Sequence, residues 1–314
     1  MSELRSEAPM EASREGYGRG LLKAAEKDPN VVALEADLGK STKSRTVKEA
    51  FPERWVSCGI TEQNMMVMAA GLASSGKVAF ASTFAIFTER AFEQIRNCVC
   101  RMKMNVKIIG SHAGLMTGTD GSSAQAIEDM AIYRTLPGMV VLCPADSVEA
   151  EKATLALAKH KGPAYMRLTR DKTPILFDDK YIFEIGKGKI MREGKDATIV
   201  ACGPLVSIAL EAAGFLAKEN ISLEVINMST IKPLDSALIL KSAKKTKRVI
   251  TAEDHSIIGG LGGAVAELLA ENPGAKLVRH GVQDTFGESG QPEELYDKYG
   301  LSVKHLIQRI KKDL

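Results

Sequence analysis

The chain has 314 residues, of which 45% are hydrophobic and 26% are charged, and its formal net charge is +3. This composition is typical of a folded globular protein and excludes a disordered or collagen-like chain, while the small, scattered charge argues against a nucleic-acid-binding protein. With neither an apolar leader at the start nor a run of about 18 apolar residues, we expect a cytoplasmic protein that does not bind membranes.

Short apolar runs alternate with longer amphipathic stretches through the first half of the chain. The predicted strands are 31–36, 55–58, 77–83, 106–111, 139–143 and 164–168, and the predicted helices are 12–27, 61–75, 86–103, 124–135 and 146–160. This alternation indicates βα units that form a parallel sheet. It predicts a doubly wound α/β domain over residues 1–175.

Residues 171–189 interrupt the alternation with Pro174 and two glycines. Proline and glycine punctuate regular structure, so we place a linker at 176–190. After it the alternation resumes, with predicted strands at 197–203, 223–228, 248–254 and 275–281. The sequence therefore predicts a second, smaller doubly wound α/β domain over 191–314.

Two further patterns do not predict a ligand site. The five cysteines, which are Cys58, Cys98, Cys100, Cys143 and Cys202, are scattered without a Cys-x-x-Cys pair, which argues against disulfides and against zinc. The glycine-rich stretch HSIIGGLGGAV, residues 255–265, lacks the G-x-G-x-x-G spacing of dinucleotide sites. Close packing of a helix on a strand, or a subunit contact, explains these glycines.

The stretch CGITEQNMM, residues 58–66, places Glu62 at the start of an apolar helix that contains Met65 and Met66. A glutamate in the first turn is favoured by the helix dipole, so Glu62 has an ordinary structural explanation. The methionines predict, however, that protein nearly surrounds this helix and that Glu62 lies below the surface. A buried carboxylate needs a hydrogen-bonding partner, and none is evident nearby in the sequence.

The GITEQNM segment resembles the GI-x-EQ-x-M stretch of the transketolase family. Further matches follow the family's order and spacing: ASR (12–14), EADLGKS (35–41), STFAIFTERAFEQIR (82–96), GSHAGLMTGTDG (110–121), LTRD (168–171) and GVQDTFGESGQPEELYDKYGL (281–301). They cover essentially the whole chain. The resemblance is to the C-terminal half of transketolase, and it implies a pyrimidine-binding domain for thiamine diphosphate followed by the transketolase C-terminal domain.

The resemblance also implies cofactor-binding residues. It gives Glu62 a catalytic hydrogen bond to the aminopyrimidine N1′ of thiamine diphosphate, within an acid/base relay. It stacks the ring of Phe87 on that pyrimidine and places Phe84, Arg90 and Asp37 close to the cofactor. From the residues alone, ordinary core packing explains Phe84 as well, because Phe84, Phe87 and Arg90 have the spacing of one helix face, and Arg90 could simply cap a helix-side charge.

Substrate-binding residues follow in the same way. Arg14, Ser41, His112 and Arg170 match the family's contacts to sugar phosphates, with His112 also counted as catalytic, and Asp120 matches an acceptor for a substrate hydroxyl. The planar fork of arginine suits phosphate oxygens. Taken singly, each residue has a structural explanation, such as a helix cap for Ser41 or a turn for Asp120.

One position departs from the family pattern. Where transketolases commonly carry histidine or glutamine, four residues after the aspartate, this chain has Ala124. An alanine side chain neither donates nor accepts a hydrogen bond. Gln125 substitutes for it only if the loop shifts, so we expect a substrate preference or turnover that differs from the usual one.

The family's diphosphate-binding half is missing from the sequence, which has no Gly-Asp-Gly segment followed by the expected asparagine. Magnesium prefers an octahedral set of oxygen ligands, and the sequence offers no such cluster. The resemblance therefore implies a split transketolase. A separate N-terminal subunit would hold Mg²⁺ or a similar ion and the diphosphate, within an α2β2 complex that contains a homodimer contact.

The expected activity is transfer of a two-carbon ketol unit from a ketose phosphate to an aldose phosphate, as in the pentose phosphate pathway. Two alternatives share the fold. The chain could be the β subunit of a 2-oxo acid dehydrogenase, which has a similar glutamate, or a non-catalytic assembly subunit. The four candidate phosphate contacts favour the transketolase, whereas Ala124 gives some support to the non-catalytic alternative.

Overall fold

The computed structural model describes residues 8–314, so the first seven residues of the predicted domain 1–175 lie outside the described part of the chain. The strands are β1 (Met10–Ala12), β2 (Val31–Glu35), β3 (Trp55–Ser57), β4 (Val78–Phe84), β5 (Val106–Ser111), β6 (Val140–Leu142), β7 (Ala164–Arg167), β8 (Lys172–Pro174), β9 (Lys189–Arg192), β10 (Ala197–Ala201), β11 (Leu223–Asn227), β12 (Thr230–Lys232), β13 (Arg248–Ser256) and β14 (Lys276–Val282). They form two mainly parallel sheets and one short ribbon. The predicted α/β class is confirmed.

Helices connect and cover these strands. They are α1 (Ser13–Lys27), α2 (Gly39–Thr42), α3 (Arg45–Ala50), α4 (Glu62–Ser74), α5 (Ala85–Glu89), α6 (Phe92–Gln94), α7 (Asp129–Arg134), α8 (Ser147–Lys159), α9 (Leu205–Ala217), α10 (Ser236–Thr246), α11 (Leu261–Glu271), α12 (Pro292–Lys298) and α13 (Val303–Asp313). Segments Pro52–Arg54 and Leu115–Asp120 are 3₁₀-helical, and Ile95–Cys100 is π-helical. The single helix predicted over 86–103 is therefore three short helical pieces.

The first sheet has seven strands in the order β12-β6-β7-β5-β4-β2-β3. Its strands from the first half of the chain pair in parallel, and the residues of β2, β4, β5, β6 and β7 are nearly all buried, as expected where helices cover both faces. Strand β12 comes from the second half and pairs antiparallel with β6. The second half thus completes the sheet of the first.

The second sheet has the order β14-β13-β10-β11-β9, with β9 antiparallel to β11 and the other pairs parallel. Strands β1 and β8 form a separate antiparallel ribbon at the end of the first half. Because β9 begins at Lys189, the last two residues of the segment predicted as a linker, 176–190, lie in the second sheet.

The two halves share one hydrophobic core. Met130 and Tyr133 of the first half and Cys202 and Met228 of the second belong to the same buried cluster. Arg167 reinforces this junction, because its buried guanidinium pairs with a carboxylate of the first half and donates to a backbone carbonyl of the second at 2.7 Å. The junction is therefore part of the core, while the buried residues of a further cluster all come from the first half.

The carboxyl ends of the parallel strands in the first sheet lie at one edge. Phe84 is the last residue of β4, His112 follows β5 directly, and Arg170 lies in the loop after β7. Helix α4, which begins at Glu62, follows β3. In open α/β sheets this edge is where ligands bind. No helix within residues 8–314 has the length and hydrophobicity needed to span a membrane.

Candidate active site

Glu62 is the first residue of α4 and is only 2% exposed, while Met65 and Met66 behind it are fully buried. The prediction that this carboxylate lies below the surface is confirmed. Its partner within the chain is Arg90, whose Nη1 donates to Glu62 Oε2 at 2.9 Å. A buried carboxylate is thus neutralised by a guanidinium that is itself 55% exposed.

The outer side of α4 does not meet the expectation that protein surrounds the helix. Ile60, just before the helix, is 72% exposed, and Val67 and Met68 are also exposed. Exposed apolar groups of this kind mark contact surfaces on soluble proteins. The chain alone leaves this face open.

Three aromatic rings connect the region of Glu62 to the end of β5. The ring of Phe84 stacks on that of Phe87, with centroids 5.6 Å apart, and on the imidazole of His112, with centroids 3.8 Å apart. The guanidinium carbon of Arg90 lies 5.3 Å from the centre of the Phe87 ring. Phe84 ends β4 and therefore does not share a helix with Phe87, but the two rings do meet.

His112 has a left-handed backbone conformation, with φ of 57°, and both its side chain and its carbonyl make hydrogen-bonding contacts. Its Nδ1 lies 2.9 Å from Ser111 Oγ, its Nε2 lies 3.2 Å from Arg14 Nη1, and its carbonyl accepts from Thr117 Oγ1 at 2.6 Å. Burial, together with the charges of Arg14 and Arg170, lowers the pKa of His112 to about 3. Since arginine only donates, Nε2 accepts and Nδ1 carries the hydrogen of a neutral imidazole.

Two arginines line one cavity of about 340 Å³ beside His112. Arg14 Nη1 donates to the carbonyl of Ser41 at 3.1 Å, and its buried Nε has no hydrogen-bond partner among residues 8–314. Arg170 Nη1 donates to the carbonyl of Thr117 at 2.7 Å and to Asp120 Oδ1 at 2.8 Å. Contacts of the two arginines thus connect the cavity to Ser41, His112 and Asp120, although of these five residues only Arg14 and Arg170 line it.

Thr117 was not singled out from the sequence, although it lies in the matched GSHAGLMTGTDG stretch. Its hydroxyl donates to the carbonyl of His112, and its own carbonyl accepts from Arg170. Thr117 thereby fixes the spacing between the histidine and one arginine. Because both contacts use the backbone, the sequence gives no direct signal for them.

Asp37 stands apart from the other candidates. It follows β2 with φ of 58° and is exposed. Across the part of the chain that the structure describes, no hydrogen bond or ion pair connects it to another candidate residue. Its assignment to the cofactor depends on the family resemblance alone.

Gln125 does not take the place that Ala124 leaves vacant. It is only 2% exposed, and its Nε2 donates to the carbonyls of Gly118, at 3.2 Å, and Glu288, at 2.9 Å. A Cβ at Gly287 would lie 2.0 Å from Gln125 Oε1, so the loop of the second half packs directly on this amide. Gln125 fastens the two halves together and does not line the 340 Å³ cavity.

The arrangement around Glu62 fits a planar nitrogen heterocycle. A buried carboxylate offers an acceptor, and the adjacent face of Phe87 offers an apolar stacking surface. The guanidinium of Arg90, which is planar and carries N–H donors, already contacts both groups. No group of three or more histidine, cysteine, aspartate or glutamate side chains within residues 8–314 is arranged to hold a metal ion.

The glycine-rich stretch 255–265 is occupied by the chain's own carboxylate. Glu253 accepts from the backbone N–H groups of Leu261 and Gly262, both at 2.7 Å, at the start of α11. A Cβ at Gly260 would lie 2.1 Å from Glu253 Oε2. Of the two explanations left open by the sequence, close packing of the helix on β13 accounts for Gly260 and Gly262.

Comparisons with known proteins agree over nearly the full length. The family model "Transketolase, pyrimidine binding domain" matches residues 10–175, and "Transketolase, C-terminal domain" matches residues 186–306. The chain is 47% identical over 305 residues to a protein of Methanocaldococcus jannaschii provisionally named a transketolase C-terminal section, with 96% of each covered. It is 40% identical to the 6-deoxy-6-sulfo-D-fructose transketolase subunit SqwH of a Clostridium species, covering 94% of this chain and 92% of that one.

Solved structures and longer relatives give the same result. The structure titled "Split gene transketolase, inactive beta4 tetramer" superposes with a TM-score of 0.90 at 47% identity, covering 96% of this chain and 97% of that one. Mouse transketolase is 38% identical over 304 residues, which cover 96% of this chain and 48% of the mouse protein. The chain belongs to the transketolase family and carries its pyrimidine-binding and C-terminal domains.

Proposed function

We propose that this chain is the pyrimidine-binding subunit of a thiamine diphosphate-dependent transketolase that moves a two-carbon ketol unit from a ketose phosphate to an aldose phosphate. The observation that carries the proposal is the unbroken series of contacts from Glu62 to Arg14. It runs through Arg90, Phe87, Phe84 and His112. A candidate cofactor carboxylate and a candidate phosphate-binding arginine thus belong to one site.

Glu62 and Phe87 would hold the aminopyrimidine of the cofactor. Thiamine diphosphate supplies, when bound, the carbanion chemistry that protein side chains lack. The Glu62 carboxylate accepts or shares a proton at the ring nitrogen, and its burial excludes water from that hydrogen bond. Phe84 backs the ring of Phe87, and Asp37 is assigned to the cofactor by resemblance.

The substrate end of the site would bind the phosphate of the sugar. Arg14 and Arg170 line the same cavity, and charge-assisted hydrogen bonds from two guanidinium groups suit phosphate oxygens. Ser41 and the neutral His112 lie beside Arg14. Asp120 is free to accept a sugar hydroxyl once Arg170 turns to the phosphate.

A separate N-terminal subunit would hold the diphosphate and the divalent ion. Support comes from the names of the relatives, one a C-terminal section and one a split-gene transketolase, and from the exposed apolar side chains at Ile60, Val67 and Met68. We propose an α2β2 assembly in which this face packs against a partner. The exposed apolar groups would lose their contact with water there.

The anionic group of the sugar is the part of the proposal that the relatives bear on most directly. One relative is named for 6-deoxy-6-sulfo-D-fructose, whose sulfonate is, like a phosphate, a tetrahedral anion. Two arginines can donate charge-assisted hydrogen bonds to either anionic group. Arg14 and Arg170 also distinguish this site from that expected of a 2-oxo acid dehydrogenase. The only anionic group of pyruvate is the carboxylate bonded directly to its reacting carbonyl, so pyruvate has no distant anion for these arginines to bind.

The test is reconstitution with a partner subunit that carries the Gly-Asp-Gly segment. The two chains are co-expressed, and the complex receives thiamine diphosphate, magnesium and an aldose phosphate acceptor. Xylulose 5-phosphate, 6-deoxy-6-sulfofructose and pyruvate are compared as donors. We expect ketol transfer from a donor with an anionic terminus, whereas decarboxylation of pyruvate alone, or no turnover in a complete complex, contradicts the proposal.

A further inference from the structure

Arg90 reaches from the surface into the site. It lies between α5 and α6, where the helical segment is interrupted, and its backbone carbonyl accepts from Gln63 Nε2 at 3.3 Å. Its side chain is half exposed, yet Nη1 bonds to the buried carboxylate of Glu62. The guanidinium is therefore held by a buried acid, while about half of the side-chain surface remains open to solvent.

The guanidinium contacts two groups at once. Besides its bond of 2.9 Å to Glu62 Oε2, it lies 5.3 Å from the centre of the Phe87 ring. A cation at that distance from an aromatic face is attracted by the ring. A flat group with N–H donors is thus held between a carboxylate and a phenyl ring.

These are the two groups to which the proposed function assigns the aminopyrimidine of the cofactor. An aminopyrimidine is also flat and also presents N–H groups, so it would compete with Arg90 for the Glu62 carboxylate and the face of Phe87. We propose that Arg90 is a self-ligand, which occupies the pyrimidine position in the unassembled chain and leaves it when the cofactor binds. This inference rests on the proposed roles of Glu62 and Phe87.

The physical reason for a self-ligand is the burial of Glu62. An ionised carboxylate without a partner is unfavourable in a dry site, so the empty chain gains by supplying its own cation. The cofactor must then displace Arg90. Only the fraction of molecules in which Arg90 has swung out can bind, and the apparent affinity falls by that fraction.

The probe is thiamine itself, because it carries the aminopyrimidine but not the diphosphate that the partner subunit would bind. Its affinity for the full chain alone is measured by calorimetry and by chemical-shift titration, which do not depend on catalysis. We expect Arg90→Ala to bind thiamine roughly tenfold or more tightly than the unchanged chain. In the unchanged chain, the Arg90 side-chain N–H signals should shift as thiamine is added.

Two further variants sharpen the comparison. Arg90→Gln keeps a donor without the charge and serves if Arg90→Ala folds poorly; it should also bind more tightly than the unchanged chain. Arg96→Ala is the matched control, since Arg96 is an exposed arginine of the same segment that bonds to Asn97. Its thiamine affinity should equal that of the unchanged chain.

Weaker, equal or undetectable thiamine binding by both Arg90 variants overturns the self-ligand, since it means that Arg90 clamps the ring or does not compete for its place. The Arg90→Ala/Glu62→Ala double variant separates this inference from the proposed function. If the double variant binds thiamine as well as Arg90→Ala does, Glu62 is not the partner of the pyrimidine and the proposed function loses its cofactor carboxylate. If thiamine binding requires Glu62 but is not tightened by removal of Arg90, the self-ligand role of Arg90 is overturned and the proposed function stands.

Discussion

The imidazole of His112 lies on the ring of Phe84, with centroids 3.8 Å apart and planes inclined by 20°. This stack closes one side of the imidazole to water, and Arg14 Nη1 stands 3.2 Å from its Nε2. Protonation would therefore create a poorly solvated charge next to a cation. The histidine is built as a neutral acceptor, which restricts any catalytic duty to holding or orienting a group.

A pH dependence of stability follows. The pKa of His112 is about 3 in the folded chain, whereas a histidine in the unfolded chain titrates near 6.5. Between these values the unfolded chain takes up a proton that the folded chain refuses. The contribution of His112 to stability is thus complete above about pH 6.5 and is lost as the pH falls toward 3, by about 1.4 kcal/mol per pH unit.

The measurement is urea unfolding of the unchanged chain and of His112→Gln at pH 7 and pH 5. From pH 7 to pH 5, the unchanged chain should lose about 2 kcal/mol more unfolding free energy than His112→Gln does. Phe84→Leu removes the stacked ring but keeps His112, so it should reduce part of the loss of stability between pH 7 and pH 5. An identical difference between the unchanged chain and His112→Gln at both pH values shows that His112 titrates normally.

Replacement of the cavity arginines should weaken binding of the anionic group. Arg14→Ala and Arg170→Ala each remove charge-assisted hydrogen bonds of about 1.5–3 kcal/mol, so KM for a phosphorylated donor should rise roughly 10- to 100-fold in the reconstituted complex. For a ketose without a phosphate, such as fructose, KM should change little.

Arg19→Ala is the matched control for these two variants. Arg19 lies on the same helix as Arg14 but does not itself line the candidate cavity, and its guanidinium pairs with Glu11 and Glu151. We expect its KM values to equal those of the unchanged complex. If the Arg14 and Arg170 variants raise KM equally for sugars with and without a phosphate, the arginines support the structure and do not bind the phosphate.

Much of the fold could be predicted because local patterns determine it. Strands predicted at 106–111 and 164–168 are observed as β5 and β7, since a strand covered on both faces reads as a continuous apolar run. Strand β12, Thr230–Lys232, was missed, because it joins the sheet of the other half through pairing with β6. Periodicity along a sequence carries no signal for such a long-range pairing.

In the candidate site, too, local features could be predicted and long-range contacts could not. Burial of Glu62 was predicted from the methionines that follow it, and the gathering of Arg14, His112 and Arg170 came from the family resemblance. The ion pair between Glu62 and Arg90 was not predicted, since the two residues are separated by 28 positions and meet only once β4 and α4 are packed. Contacts that depend on side-chain reach across elements need the three-dimensional structure.

Glu62→Gln should abolish ketol transfer and leave the fold intact. The amide keeps the volume of the carboxylate but cannot take up a proton, so the loss should reach roughly 10²- to 10⁴-fold in kcat. Circular dichroism and thermal unfolding of the isolated variant check the fold, and the ketol-transfer assay checks the activity. Glu93→Gln is the control, because Glu93 is an exposed carboxylate in the neighbouring segment. Near-normal turnover by Glu62→Gln would remove the central residue of the proposal.

Lys107 gives a prediction that concerns stability alone. Its side chain is fully buried in β5, and its Nζ donates to Asn105 Oδ1 at 2.7 Å, to the carbonyl of His160 at 2.8 Å and to the carbonyl of Gly162 at 2.6 Å. Three oxygens of two loops are thus satisfied by one ammonium. Methionine has similar length but no donor, so Lys107→Met leaves these acceptors unpaired at the base of the sheet.

Each buried acceptor without a partner costs about 1–3 kcal/mol, partly offset because no charge is then buried, so we expect Lys107→Met to lose about 3 kcal/mol of unfolding free energy. The urea midpoint measures this loss. Lys161→Met is the control, since Lys161 is an exposed lysine of the same loop, and it should change stability by no more than about 0.5 kcal/mol. Equal midpoints for the two variants would mean that water or a shift of the loops replaces the ammonium without cost. The three hydrogen bonds of Lys107 would then contribute no net stability to the sheet.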